Sequence, residues 1–159
     1  MTNQLVAHLF RHEAGRMDTA LIINGERFLN QSAVGNALSD YHLEAVIAAC
    51  HCTAPRYADT NWPRILQYYD LLLARQPESE IIALNRAVAL AQVDGPLAGI
   101  VAVTNLTGLD KHHRYHAVLG ELYHQNHQPD PARYHYQRAI ALATSSAEGA
   151  FLAKKLSAC

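Results

Sequence analysis

From Ser39 onward the apolar residues recur at helical spacing and are broken by short polar or Pro/Gly punctuation. Ser39 and Asp40 offer N-cap side chains ahead of a helix over Tyr41–Thr53. Pro55–Thr60 reads as a loop. Thr60 or Asn61 then caps a helix over Trp62–Arg75, with Pro63 in its first turn, where a missing N–H costs nothing. Pro77 ends that helix. The next is expected over Glu78–Val93, its acidic start (Glu78, Glu80) matching the helix dipole and Asp94-Gly95-Pro96 stopping it. Further helices are expected over Pro96–Asn105, Asp110–Gln125, Asp130–Ala143 and Ser146–Leu156. The breaks between them are short, so neighbours should run antiparallel.

The stretch ahead of Ser39 follows another pattern. Leu5, Val6, Leu9 and Phe10 predict a helix over Asn3–Arg16 that Gly15 helps to stop. Ala20-Leu-Ile-Ile23 and Glu26-Arg-Phe-Leu29 flank Asn24-Gly25, a strong local signal for a β-hairpin. Two strands alone are marginal, so this arm should lie on a helical body. The expected organisation is an arm over 1–38 and a helical domain over 39–159, one compact unit overall.

A period runs through the helical part. Leu119-Gly120, Tyr123, Ala132, Tyr136 and Ala139 match the small-and-aromatic scheme of tetratricopeptide repeats, whose period is roughly 34 residues. Ala87, Leu90, Ala98 and Ala102 precede Gly120, Tyr123, Ala132 and Tyr136, each by one such period to within a single position. Ile65, Tyr69 and Leu72 stand in the same relation to Ala98, Ala102 and Asn105. The fold class predicted is therefore all-α: a tetratricopeptide-like, right-handed stack of helix pairs with a small N-terminal β-hairpin arm. The pairs are Tyr41–Pro77, Glu78–Leu109 and Asp110–Thr144, and the last helix caps the stack with Lys154 and Lys155 turned outward.

Composition narrows the function. The 159 residues suffice for one domain with a sizeable core. Thirteen Lys and Arg against fourteen Asp and Glu, a formal net charge of −1, argue against direct nucleic-acid binding and against a polybasic membrane-surface protein. The sequence has no apolar run of spanning length and no signal-peptide pattern at its start, so a cytoplasmic location without membrane contact is expected. The three cysteines are read as free thiols. Cys50 and Cys52 are small core residues on an alanine-rich helix, and Cys159, the last residue, is expected to be mobile.

Candidate chemistry is sparse. Neither a phosphate-cradling Gly-rich loop nor a Gly-x-Ser-x-Gly elbow occurs. Ten histidines include the spacings His8/His12 and His112/His116 and the cluster Cys50-His51-Cys52. None carries a metal signature, so no catalytic residue, metal or cofactor is expected. In stacked helix pairs the first helix of each pair lines a concave face that binds peptides or domains. Glu44, His51, Asn85, Arg86, Arg114, Glu121 and His124 are the candidates for that groove. The competing reading places Asn85, Arg86, Asp70 and His51 in a buried, satisfied polar network between repeats. Trp62 and Tyr68-Tyr69 are read as core by their spacing.

Tyr41-His-Leu-Glu-Ala-Val-Ile-Ala-Ala-Cys-His51 and Asp59-Thr-Asn-Trp62-Pro-Arg-Ile65 resemble the C-terminal extension of certain bacterial extracytoplasmic-function sigma factors. So do Tyr69-Asp70-x-Leu72, Ala83-Leu-Asn-Arg-Ala-Val-Ala89 and Gly95-Pro96-x-Ala98-Gly99. In that family two promoter-binding domains precede a tetratricopeptide-like helical domain. The resemblance implies that this chain is the excised C-terminal part, beginning at an introduced Met1, since the promoter-recognition domains are missing from it. It also implies a longer segment where Gln31 runs straight into Ser32, so either that loop is absent from this chain or residues are missing there.

The expectation is a non-enzymatic regulatory or protein-interaction module of an RNA polymerase sigma factor whose parent acts in transcription initiation. Its partners would be RNA polymerase, the parent's own sigma domains, or another protein or peptide in the groove. A homodimer through the groove or the hairpin edge is also open. The alternative is a stand-alone tetratricopeptide scaffold unrelated to transcription. A third class, an enzyme using the His and Cys clusters, would show stoichiometric metal or a loss of activity on mutation of His112 and His116.

Overall fold

The computed structural model describes residues 40–53 and 59–159; for 41, 42, 49 and 51–53 it describes the backbone alone. The expected N-terminal helix, the hairpin, the Gln31–Ser32 junction, the arm boundary after residue 38 and most of the Pro55–Thr60 loop lie outside the described residues. The described residues are all-α, with no strand among them. Their helices are α1 (Asp40–Thr53), α2 (Trp62–Arg75), α3 (Glu80–Asp94), α4 (Pro96–Thr104), α5 (His113–Gln125), α6 (Pro129–Leu142) and α7 (Ser146–Ser157). The chain divides into two compact units, Met1–Ile82 and Ala83–Cys159, and the division falls within α3.

In the first unit α1 packs on α2. Asn61 caps α2 by accepting the Arg64 N–H at 3.2 Å, and Pro63 occupies the first turn. Trp62, Ile65, Tyr69 and Leu72 form the buried stripe of α2, while Tyr68 is half-buried and accepts a hydrogen bond from Arg64 Nε at 2.8 Å. From α1 the stripe meets Leu43, Val46, Ile47 and Cys50, all buried. The end of α2 is stitched to the start of α1: Arg75 Nη1 and Gln76 Nε2 donate to the Asp40 carboxylate at 3.1 and 2.7 Å. These bonds run the two helices antiparallel and hold the Asp40 carboxyl below the usual carboxylate range.

In the second unit, α3 is buried over much of its circumference by Leu84, Asn85, Ala87, Val88, Ala89 and Ala91. Gly95, at φ +95°, breaks the chain before Pro96 starts α4. The α4 backbone approaches α3 closely at Gly99, where an added β-carbon would stand 2.5 Å from Ala91 Cβ and 3.1 Å from Leu122 Cδ1 on α5. Helix α5 is buried continuously from Tyr115 to Leu122 and packs on α4 and α6. A short turn with His127 at φ +57° reverses the chain into α6, whose buried face is Ala132, Tyr136 and Ala139. Ser145 caps α7 through the Glu148 N–H, and α7 lies on α6 with Leu152 buried.

Three expectations need correction. Helix α3 starts at Glu80, so Glu78 stands in the preceding turn; Ser79 Oγ accepts the Ile82 N–H at 3.4 Å and sets the start there. Helix α5 starts at His113, because Asp110 and Lys111 form a turn closed by the His112 N–H donating to Leu109 O at 2.8 Å. His112 is thus the residue before the helix, and His112 and His116 do not share a helical face. Lys155 points inward to an ion pair, whereas Lys154 is exposed as expected.

Candidate functional site

The polar side chains of the second unit converge on α5. Glu121 is 1% exposed and engages three polar partners. Tyr136 Oη donates to its Oε2 at 2.8 Å, Lys155 Nζ lies 3.2 Å from the same oxygen, and Gln125 Nε2 donates to Oε1 at 3.1 Å. A buried carboxylate is costly unless paired, and this one is neutralised by an ammonium delivered from α7. Burial, then the adjacent carboxylate, pushes the Tyr136 phenol far above its ordinary range. Tyr136 therefore acts as a donor and not as an acid.

One helical turn further along α5, Cys159 Sγ lies 3.4 Å from His124 Nδ1. Arg133 Nη2 donates to the Cys159 carbonyl at 2.7 Å, so the expected mobile residue is instead tied to α5 and α6. Burial raises the Cys159 thiol above its usual range, which keeps it protonated near neutrality. At the other end of α5, His113 Nε2 lies 3.7 Å from Glu148 Oε2, an oxygen shielded from solvent that accepts no hydrogen bond among the described residues. Burial holds His113 below the ordinary imidazole range against the pull of Glu148.

Between these ends sits an aromatic cluster. His116 Nδ1 and His135 Nδ1 face each other at 3.0 Å, and His116 Nε2 lies 2.9 Å from Asp110 O. The Tyr123 ring stacks on His135 at 5.5 Å with an interplanar angle of 7°. Burial, then the neighbouring His116, pushes His135 down to about 4. No group of three or more His, Cys, Asp or Glu side chains that could hold a metal occurs among the described residues.

The sequence-predicted groove residues are distributed unevenly. Glu44 is exposed on α1, and the His51 side chain lies outside the described residues. Asn85 is buried and Arg86 half-buried on α3; Arg114 and His124 are half-buried on α5. Glu121 is in the core and not on an open face, because α7 covers it. Of the competing buried network, Asn85 is buried but Asp70 is exposed. The structure brings Glu121 and His124 together with Lys155, Tyr136 and Cys159, which the sequence does not single out for the groove. A signal for one of them exists: Lys155 follows Glu121 by the length of the expected repeat and carries the opposite charge.

An uncharacterized protein of Rhizobium meliloti (strain 1021) is 38% identical to this chain over 117 residues, which are 73% of the chain and 27% of that protein. The chain therefore spans about a quarter of the relative's length. No family model matches the chain, and no match to it was found among solved structures. No helix among the described residues is long and apolar enough to cross a membrane.

Proposed function

We propose that this chain is a protein-contact module built of tetratricopeptide-like helix pairs, the C-terminal regulatory part of an extracytoplasmic-function sigma factor. The observation that carries the repeat reading is the meeting of Gly120 with Tyr136. A β-carbon at Gly120 would stand 2.7 Å from Tyr136 Cδ1, so the small residue of one helix admits the aromatic of the next. Gly99, close against Ala91 and the Ala87 carbonyl, is a second approach of two helices through small residues, between α4 and α3. The sigma-factor reading rests on the motifs between Tyr41 and Gly99 that resemble that family. The 27% share of the Rhizobium relative supports a module of a larger protein.

In this reading the module contributes binding and not chemistry. Glu121 is consumed by Lys155 and Tyr136, and the Cys159 thiol is held protonated. Arg86, Arg114 and His124 are the groove residues whose partial exposure lets a partner reach them. The partner is RNA polymerase or the promoter-binding domains of the parent, and contact shifts the parent between competent and incompetent states.

Biolayer interferometry with the chain immobilised tests this against purified core RNA polymerase and against purified sigma promoter-binding domains. Saturable binding to either one, weakened at least tenfold by Arg86→Ala or Arg114→Ala with thermal stability kept, is the expected result. Binding to neither contradicts the sigma-factor reading. An upstream reading frame that lacks sigma helices would favour the stand-alone scaffold.

A further inference from the structure

The imidazoles of His116 and His135 have a hydrogen inventory that the geometry determines. A backbone carbonyl only accepts, so the 2.9 Å contact to Asp110 O requires His116 to carry its proton on Nε2. In a neutral His116, Nδ1 then holds a lone pair. At 3.0 Å the facing Nδ1 of His135 must supply the hydrogen, which places His135 in its Nδ1–H form. One added proton leaves the bridge intact, because an imidazolium on either ring still donates to the other's Nδ1. Two added protons put an N–H on both facing atoms and two positive charges on stacked rings 5.3 Å apart.

We propose that the His116–His135 pair is an acid-released latch on the α5–α6 hairpin, closed by one bridging hydrogen and opened when both rings become imidazolium. This goes beyond the sigma-factor reading and does not depend on it.

The surroundings offer little to stabilise the doubly charged state. Helix α4, which packs on α5, contributes no titratable side chain. Asp110 engages the pair through its carbonyl. On α5 and α6 the nearest aromatic neighbours are Tyr115, Tyr123 and Tyr134, and His112 stacks on His113 instead. Asp130 and Arg133 pair with each other, and Arg138 is exposed. On α7, Glu148 is turned to His113 and Lys155 to Glu121, while Lys154 is exposed. His116 is 5% exposed, so no solvent shell is at hand to screen the two facing rings from each other.

His135 sits at about 4 in the fold against an ordinary value of 6.5, so the unfolded chain binds more protons between those values. Stability tied to an uncharged His135 is complete above 6.5 and is lost as pH falls toward 4, while the bridge itself opens only with the second proton. The opened hairpin would release the Gly120–Tyr136 contact, which lies on the same two helices.

The test uses the full chain and His135→Asn, whose amide N–H stands near the place of Nδ1 but does not titrate. Thermal midpoints are measured from pH 7.5 to 4. The wild-type midpoint is expected to fall by about 5 °C more than that of the variant over the acidic half of this range. Parallel curves overturn the proposal. Imidazole ¹⁵N NMR of the wild type is independent of whether the variant folds. It should show His116 protonated on Nε2 and His135 on Nδ1 at pH 7.5. An Nε2–H tautomer at His135, titrating near its ordinary value, overturns the latch.

Discussion

The ring of Tyr136 on α6 occupies the space that a side chain at residue 120 of α5 would need: a β-carbon there would lie 2.7, 2.9 and 3.0 Å from three of its ring carbons. Tyr136 is completely buried, and its hydroxyl reaches Glu121, the residue after Gly120. One tyrosine thus fixes the separation of two helices with its face and their register with its oxygen.

Gly120→Ala should therefore destabilise the fold despite the better helix propensity of alanine. The ring is fully buried and stands within 3.0 Å of the added carbon, and overpacking of this kind costs about 1–3 kcal/mol. Gly149→Ala is the matched control, because a β-carbon at Gly149 on α7 meets nothing within 4 Å. That substitution should stabilise by about 0.5–1 kcal/mol. Denaturant melts of the two variants should move in opposite directions.

The Glu121–Lys155 pair predicts non-additive losses. Lys155→Met strands a carboxylate that is 1% exposed and should cost about 3 kcal/mol or somewhat less, given the residual exposure of Lys155. Glu121→Gln with Lys155→Met removes both charges together and should cost less than the sum of the single changes. A double-mutant cycle read by chemical denaturation measures the coupling.

The turn between α5 and α6 carries a correctable strain. His127, at φ +57°, sits at the left-handed position after α5, with the Gln128 N–H donating to Tyr123 O at 2.9 Å. Glycine is the residue suited to this position. His127→Gly should raise stability by roughly 0.5–1 kcal/mol, seen as a higher midpoint of thermal unfolding.

What the sequence made legible were the local punctuation marks. Asn61 before α2 and Gly95 before α4 act through bonds or dihedrals close by in the chain, so those starts could be placed from neighbouring residues. The start of α3 was misplaced because acidic residues at 78 and 80 both suit a helix dipole, and the Ser79 hydroxyl decides between them. The site was less legible. Glu121 reads as a groove residue when α5 is considered alone, and its burial comes from α7, which brings Lys155 onto it. His116 pairs with His135 on the next helix, and not with His112 on its own side of the hairpin. Polar partners that sit on different helices leave no trace in the periodicity of either one.

The repeat itself is most directly tested by three distances. Leu71, Thr104 and Arg138 are exposed and occupy equivalent places in the proposed succession of helix pairs, each one repeat period after the last. Spin labels at cysteines introduced pairwise at these positions, with Cys52 and Cys159 replaced, report their separations by electron–electron dipolar coupling. Stacked pairs predict similar separations for 71–104 and 104–138, and a 71–138 separation longer than either. A 71–138 separation equal to or shorter than its two neighbours would mean that the pairs fold back on one another, and would contradict the stack and the hollow binding face that depends on it.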